Sequence, residues 1–130
     1  MEDASRGSEE HDAKSVLARM AATGHVLGCS EGWFPLIGEL DRQLAELDPA
    51  YDLFRVGRVD GVLVFDAKPS EPDLAAQFSA LIDVASRRAS AACEVCGGHG
   101  EIRTIHGLAE VLCAAHQVAA EQAEWRRLGT

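Results

Sequence analysis

Four residues in the C-terminal third of the sequence have the types and spacing of metal ligands: Cys93-Glu94-Val95-Cys96 and, after sixteen residues, Cys113-Ala114-Ala115-His116, which gives C-x2-C-x16-C-x2-H. Three thiolates and an imidazole are soft-to-borderline donors that favour Zn2+ over Mg2+ or Ca2+, and a full set of four leaves no position for water. The chemistry this predicts is one structural Zn2+, held rather than used. Gly97-Gly98 frees the backbone after the first pair to fold round an ion and aim amides at the thiolates. The second pair, at i and i+3 in the first turn of a helix, puts sulfur and imidazole on the same side. Two other readings of the cysteines compete. One is reduced thiols in an ordinary core. The other is a thioredoxin-like redox couple, but that motif is expected between a strand and a long helix, whereas Cys96-Gly97-Gly98-His99-Gly100 leads into a hairpin.

The remaining chemically capable residues read more plainly. His99 and His106 lie inside the same segment and are alternatives to His116 as fourth ligand, although neither has the paired spacing. They read first as polar residues of an exposed hairpin. Cys29 with His25 forms H-x3-C, a second candidate pair, against which a lone thiol beside Trp33 reads as a small buried hydrophobe. Arg87, Arg88, Arg103, Arg126 and Arg127 are the basic residues of this region and would make any phosphate contact, or else they form a solvated helix face. Trp125 either packs back on the core or anchors a partner. Together these arginines and Trp125 are the candidate partner-binding residues. Glu31, Glu39 and Asp41 are read as a solvated surface. The sequence has no G-x-S-x-G, Walker A, dinucleotide fingerprint or H-E-x-x-H, and no small-molecule substrate is evident, so an enzyme is the weakest reading.

The elements that must position the four ligands follow from periodicity. Between the ligand pairs, residues 100–112 (GEIRTIHGLAEVL) read as a small hairpin, with His106-Gly107 at its turn, Ile102 and Ile105 near one strand and Val111-Leu112 near the other. Knuckle, hairpin and helix in that order resemble a treble-clef zinc finger, here over residues 93–130 and packed on what precedes it. Upstream, Trp33, Leu36, Ile37, Leu40, Leu44 and Leu47 form one continuous helical stripe. Pro35 is tolerated in its first turn, and Asp48-Pro49 ends it. Two Val-, Phe- and Leu-rich runs joined at Asp60-Gly61 signal a β-hairpin with a type I′ turn. A connector at residues 68–72 leads to a helix capped by Ser70 with Asp73 three residues on, its buried face marked by Leu74, Phe78, Leu81, Ile82 and Ala85. A short helix over residues 15–23, with Val16, Leu17 and Met20 on one face, completes residues 15–92. The fold class is therefore α+β: two helices packed on a β-hairpin, followed by the treble-clef-like finger ending in a helix.

Length and charge bound the function. The 130 residues are the size of one ordinary domain, and 47% hydrophobic with 25% charged residues is a globular balance. Of 21 acidic and 12 basic side chains, residues 1–83 hold 16 acids and 7 bases, and the rest hold 5 of each. The net charge of −9 argues against duplex nucleic acid held by most of the surface and favours a protein partner. Residues 1–14 read as a disordered acidic tail with neither the basic start nor the apolar stretch of a targeting peptide. No apolar run approaches the roughly 18 residues of a membrane span. The expected setting is the cytoplasm, with no membrane partner, where four cysteines serve more naturally as ligands or free thiols than as disulfides.

Gly32-Trp33-Phe34-Pro35-Leu36-Ile37, the hairpin near Arg58 to Phe65, Cys93-Glu94-x-Cys96-Gly97 and Leu112-Cys113-x-x-His116 occur in that order. Together they resemble a family of small uncharacterised proteins of bacteria and their phages. That family reads G-W-x-x-L-I, then a Lys-rich strand pair, Ser-x-x-C-E-x-C-G and L-C-x-x-H. The resemblance spans residues 29–116 and implies the same four zinc ligands, with Ser90 as the serine before the knuckle. In the hairpin this chain departs: Arg58, Val59, Asp60, Gly61 and Leu63 stand where the family has Lys, an aromatic residue, Gly and Arg. The functional expectation is a non-enzymatic, zinc-binding interaction or regulatory module. Its alternatives are a nucleic-acid-binding regulator using the finger arginines and an acidic immunity-type inhibitor of a basic toxin.

Overall fold

The structure, a computed structural model, describes residues 16–20, Gly28 and residues 31–129, with residues 124–129 described by backbone alone. The expected acidic tail, residues 15 and 21–23 of the first helix, His25 and Cys29 lie outside the described residues.

A 3-10 turn at Glu31–Trp33 runs directly into helix α1 (Phe34–Leu47), with Pro35 in the first turn. Pro35 is tolerated there because first-turn amides have no intrahelical acceptor in any case. The predicted stripe is the buried face: Trp33, Ile37, Leu40 and Leu44 are all 2% exposed or less. Leu36 of the stripe is half-buried, and its end, Leu47, is exposed. Asp48, held out of helical geometry by the following proline, ends the helix with its amide bonded back to the Leu44 carbonyl at 2.8 Å.

Strands β1 (Asp52–Val59) and β2 (Val62–Lys68) pair antiparallel across Asp60-Gly61, whose φ angles of 52° and 78° are those of the expected type I′ turn. The inner face of the hairpin carries Leu53, Val56, Leu63 and Phe65 into the core. Helix α2 (Ala75–Ala89) packs along β2 and against α1, burying Phe78, Ala85 and Ala89. Strands β3 (Glu101–Ile105) and β4 (Leu108–Leu112) form a second antiparallel hairpin, again with two positive φ angles at its turn, His106 (52°) and Gly107 (83°). Helix α3 (Ala114–Gly129) follows. The architecture is α+β with two antiparallel hairpins. The larger core joins Val16, Met20, α1, α2, β1 and β2 with Val111 of β4, and a smaller cluster of Cys93, Ile105 and Leu112 underlies the ligand region.

Three local expectations are corrected. Leu17 is 44% exposed, whereas Val16 and Met20, four residues apart on one helical face, are fully buried. Ser70 caps no helix: a 3-10 turn at Pro72–Leu74 precedes α2 without a side-chain cap, and both the Ser70 amide (2.5 Å) and its hydroxyl (2.8 Å) donate to Asp48 instead. Asp41 is not part of a solvated surface. At 3% exposed it accepts hydrogen bonds from Arg19 Nε (2.7 Å) and from the Tyr51 hydroxyl. Arg19 also lies over the Tyr51 ring, 4.5 Å from its centroid, so this buried group ties residues 16–20 to α1 and to the loop after it. Burial, and then the Asp41 carboxylate, push the Tyr51 hydroxyl far above its ordinary pKa.

Asp48 joins the end of α1 to the connector before α2. The Ser70 amide lowers its pKa, outweighing the opposing effect of burial, with help from the Ser70 hydroxyl, the Ala50 amide and the Arg19 charge. A carboxylate depressed in the folded state contributes stability that is complete above its unfolded pKa of about 3.9 and is lost as pH falls through the folded value. The melting temperature of Asp48→Asn is therefore expected to lie below that of the wild type at pH 7. The gap should narrow as the pH is taken below about 4, because the wild-type carboxyl then protonates as well. A gap constant down to pH 3 in thermal melts would show that the charge of Asp48 contributes nothing.

Candidate metal centre

The first ligand pair sits in a knuckle closed by two backbone hydrogen bonds, Cys93 N to Gly98 O (2.7 Å) and Gly97 N to Cys93 O (2.8 Å). Gly97 has φ +79°, a left-handed conformation that turns the chain back and that a side chain would strain. The second pair opens α3, where Gln117 N bonds Cys113 O at 2.9 Å, and one helical turn brings Sγ and imidazole to the same side. The hairpin β3–β4 spans the distance between knuckle and helix. As a result one ligand atom from each of Cys93, Cys96, Cys113 and His116 lies within 4.8 Å of the others. His116 turns Nδ1 to the sulfurs, 3.6 Å from Cys93 Sγ and 3.1 Å from Cys113 Sγ, and Cys96 Sγ is 4.0 Å from Cys113 Sγ. Cys93 forms the buried floor, Cys96 is exposed, and Cys113 and His116 are half-buried.

The Cys93 thiol is prepared for ionisation. Burial pushes the Cys93 thiol up, but the amides of Cys113, Cys96 and Val95, with the Cys96 thiol, outweigh it and bring the pKa down to about 6. At Cys96 the Gly98 amide favours the thiolate, yet the neighbouring Cys93, burial and Cys113 together raise the pKa above the ordinary thiol value. One thiolate thus forms readily, and its charge holds back the next. A divalent cation relieves that repulsion, so the four residues could bind a metal ion.

A scan of protein-family models and searches of curated proteins and of solved structures return no match to this chain. The chemistry therefore rests on the side chains themselves.

The structure brings the four predicted ligands together. His99 and His106 are exposed and lie outside the group. Arg87 and Arg88 are exposed at the end of α2, and Arg88 Nη1 is 3.4 Å from Glu39. Arg103 turns inward: its Nε donates to the Leu112 carbonyl at 3.0 Å and its Nη1 to Gln117, bracing the start of α3 against β3. Trp125, Arg126 and Arg127 lie on α3, but their side chains are outside the described residues. No helix among the described residues is long and apolar enough to cross a membrane.

Sequence reasoning missed Glu94. Set between two ligands in a turn, it reads as a surface residue, yet it is 1% exposed. Its Oε2 accepts from Val111 N at 3.0 Å and its Oε1 from Arg58 Nη1 at 2.5 Å. Its backbone carbonyl accepts from Gly32 N at 2.6 Å, and Trp33 Nε1 donates to Ala92 O at 2.8 Å just before the knuckle. The only signal in the sequence is the place of Glu94 within the C-E-x-C-G motif.

Proposed function

We propose that this chain is a small non-enzymatic zinc-binding protein whose one Zn2+ is structural, and that it works as an interaction module for another protein. The convergence of three thiols and an imidazole nitrogen within 4.8 Å carries the reading. In a tetrahedral Zn2+ site, bonds of about 2.3 Å to sulfur and about 2.0 Å to nitrogen give S–S edges near 3.8 Å and S–N edges near 3.5 Å. The observed 4.0 Å between Cys96 and Cys113 and 3.6 Å between Cys93 and His116 match these edges, and the 3.1 Å between Cys113 and His116 is shorter than either. Four protein donors complete the coordination, which supports a structural rather than a catalytic ion.

The order knuckle, hairpin, helix supports a treble-clef reading of this segment, and with Gly32-Trp33 and Cys93-Glu94-x-Cys96-Gly97 it supports kinship with the phage and bacterial family described above. Beside Cys96 a cavity of about 560 Å³ opens between Gly32, Pro35, Leu36, Arg88 and Val95. Val95, 47% exposed, stands at its rim, and this mixed wall, with Arg88 and Glu31 beside apolar side chains, suits a protein partner. The net charge of −9, made one more negative when Zn2+ meets three thiolates, disfavours a polyanion. Protein purified without chelator is expected to carry about one zinc per chain by elemental analysis. Protein without metal would overturn the reading.

A further inference from the structure

We propose that Arg58 and Glu94 are positioning residues of the metal site: the ion pair between them holds the Cys93–Cys96 knuckle in its ligating conformation, so that metal affinity depends on a residue of the first hairpin. This rests on the zinc reading above.

Glu94 is the residue between the first two ligands whose side chain points inward. Its carboxylate is 2% exposed and is reached by one guanidinium, Arg58 Nη1 at 2.5 Å, and by one backbone amide, Val111 N at 3.0 Å. The same Arg58 nitrogen also meets Glu110 Oε1 at 3.2 Å, so one cation on β1 gathers acids from the knuckle and from β4. Glu94 N in turn donates to Val111 O at 2.9 Å. Four groups of Glu94 and Val111 thus lock the knuckle to the strand that leads directly into Cys113, and Arg58 supplies the charge that makes the burial of Glu94 tolerable.

The electrostatics reach the metal as well. A Zn2+ with three thiolates carries a net negative charge, and a buried carboxylate one residue from Cys93 adds a second. Arg58 is the cation bonded to that carboxylate. Without it, Glu94 would have to turn outward toward water or repel the site, and turning outward pulls the knuckle apart. Groups that orient ligands from outside the coordination sphere change metal affinity by about 10–100-fold when removed.

The test compares wild type, Arg58→Met, Arg58→Lys and Arg55→Met, the last removing an exposed arginine of the same strand. Zn2+ affinity is read by competition with a chromophoric chelator, and Co2+ absorption reports the coordination geometry. Thermal melts with and without chelator separate positioning from general stability, since a merely structural role lowers both melts alike and leaves affinity unchanged. The expected result is a loss of about 10–100-fold for Arg58→Met with a stability loss larger in the metal-bound form. Arg58→Lys should recover part of it, because the charge returns as a compact ammonium without the planar guanidinium. Arg55→Met should match the wild type. Wild-type affinity in Arg58→Met, or an equal loss in Arg55→Met, overturns the clamp while leaving the zinc reading intact. Wild-type protein that binds no zinc overturns both. If Arg58→Met does not fold, Arg58→Lys decides: affinity equal to the wild type with an unchanged Co2+ spectrum rejects positioning by the Arg58 guanidinium, and weakened affinity at unchanged metal-free stability supports it.

Discussion

Cys96→Ser is expected to lose bound metal and to loosen residues 93–116 while the larger core stays folded. Cys96 is the exposed member of the group, so exchanging its sulfur for oxygen removes almost nothing from the packing. What it removes is a thiolate, because a serine hydroxyl stays neutral where the thiol ionises. Structural zinc contributes about 10–16 kcal/mol in finger peptides, and that binding free energy is also folding free energy. A whole domain is stable by only about 5–15 kcal/mol, so even a partial loss is large for the segment that depends on it. The segment's own buried cluster is small, comprising Cys93, Ile105 and Leu112 with Cys113 and Ala120 partly buried against it, while Val111 reaches into the larger core. The larger core, centred on Trp33, Leu44, Val56 and Phe78, does not include the ligands. Amide hydrogen exchange followed by mass spectrometry should therefore show lost protection over β3, β4 and the start of α3 and retained protection over α1, β1 and β2. Elemental analysis should show the metal gone. Undiminished zinc and protection in Cys96→Ser would mean that another group, such as His99, completes the site.

The parts of the fold that were legible in the sequence are those whose cause is local. The stripe from Trp33 to Leu44 is one face of a helix, and it is buried as such. Asp60-Gly61 and His106-Gly107 each make the two successive positive φ angles that such dipeptides tolerate. The ligand spacing was legible for the same reason, since a knuckle and a helical turn each fix two donors within a few residues. Illegible were the contacts that pair distant residues. Ser70 satisfies the capping pattern locally, yet Asp48, twenty-two positions away, takes both its amide and its hydroxyl. Asp41 sits in a helix with ordinary acidic surface residues, and only the arrival of Arg19 and Tyr51 makes its burial tolerable. Glu94 depends in the same way on Arg58, thirty-six positions away. Buried charge is a tertiary property, and a single sequence read by periodicity assigns it to the surface.

Gly32→Ala is expected to destabilise the protein by about 3 kcal/mol, the upper end of what overpacking usually costs, and to weaken metal binding together with stability. A methyl group on Gly32 would run into the Cys93 carbonyl oxygen and into the carbonyl carbon and oxygen of Glu94, all of them backbone atoms that cannot swing aside. The approach is close from the other side too, for a Cβ on Gly97 would come within 3.0 Å of the Gly32 carbonyl oxygen. Gly32 N already donates to Glu94 O at 2.6 Å, so the turn before α1 and the knuckle meet backbone to backbone. Neither side can retreat cheaply. Trp33, next in sequence, is fully buried and bonded through Nε1 to Ala92 O at 2.8 Å, while Cys93 is fully buried and Glu94 is held by Arg58 and Val111. Relief requires the knuckle to move away from α1, and the knuckle carries two of the four ligands, so stability and metal affinity should fall together. Urea denaturation followed by circular dichroism gives the first quantity and chelator competition the second. A variant within about 1 kcal/mol of the wild type, with unchanged zinc affinity, would show that the helix start and the knuckle are not pressed together in solution.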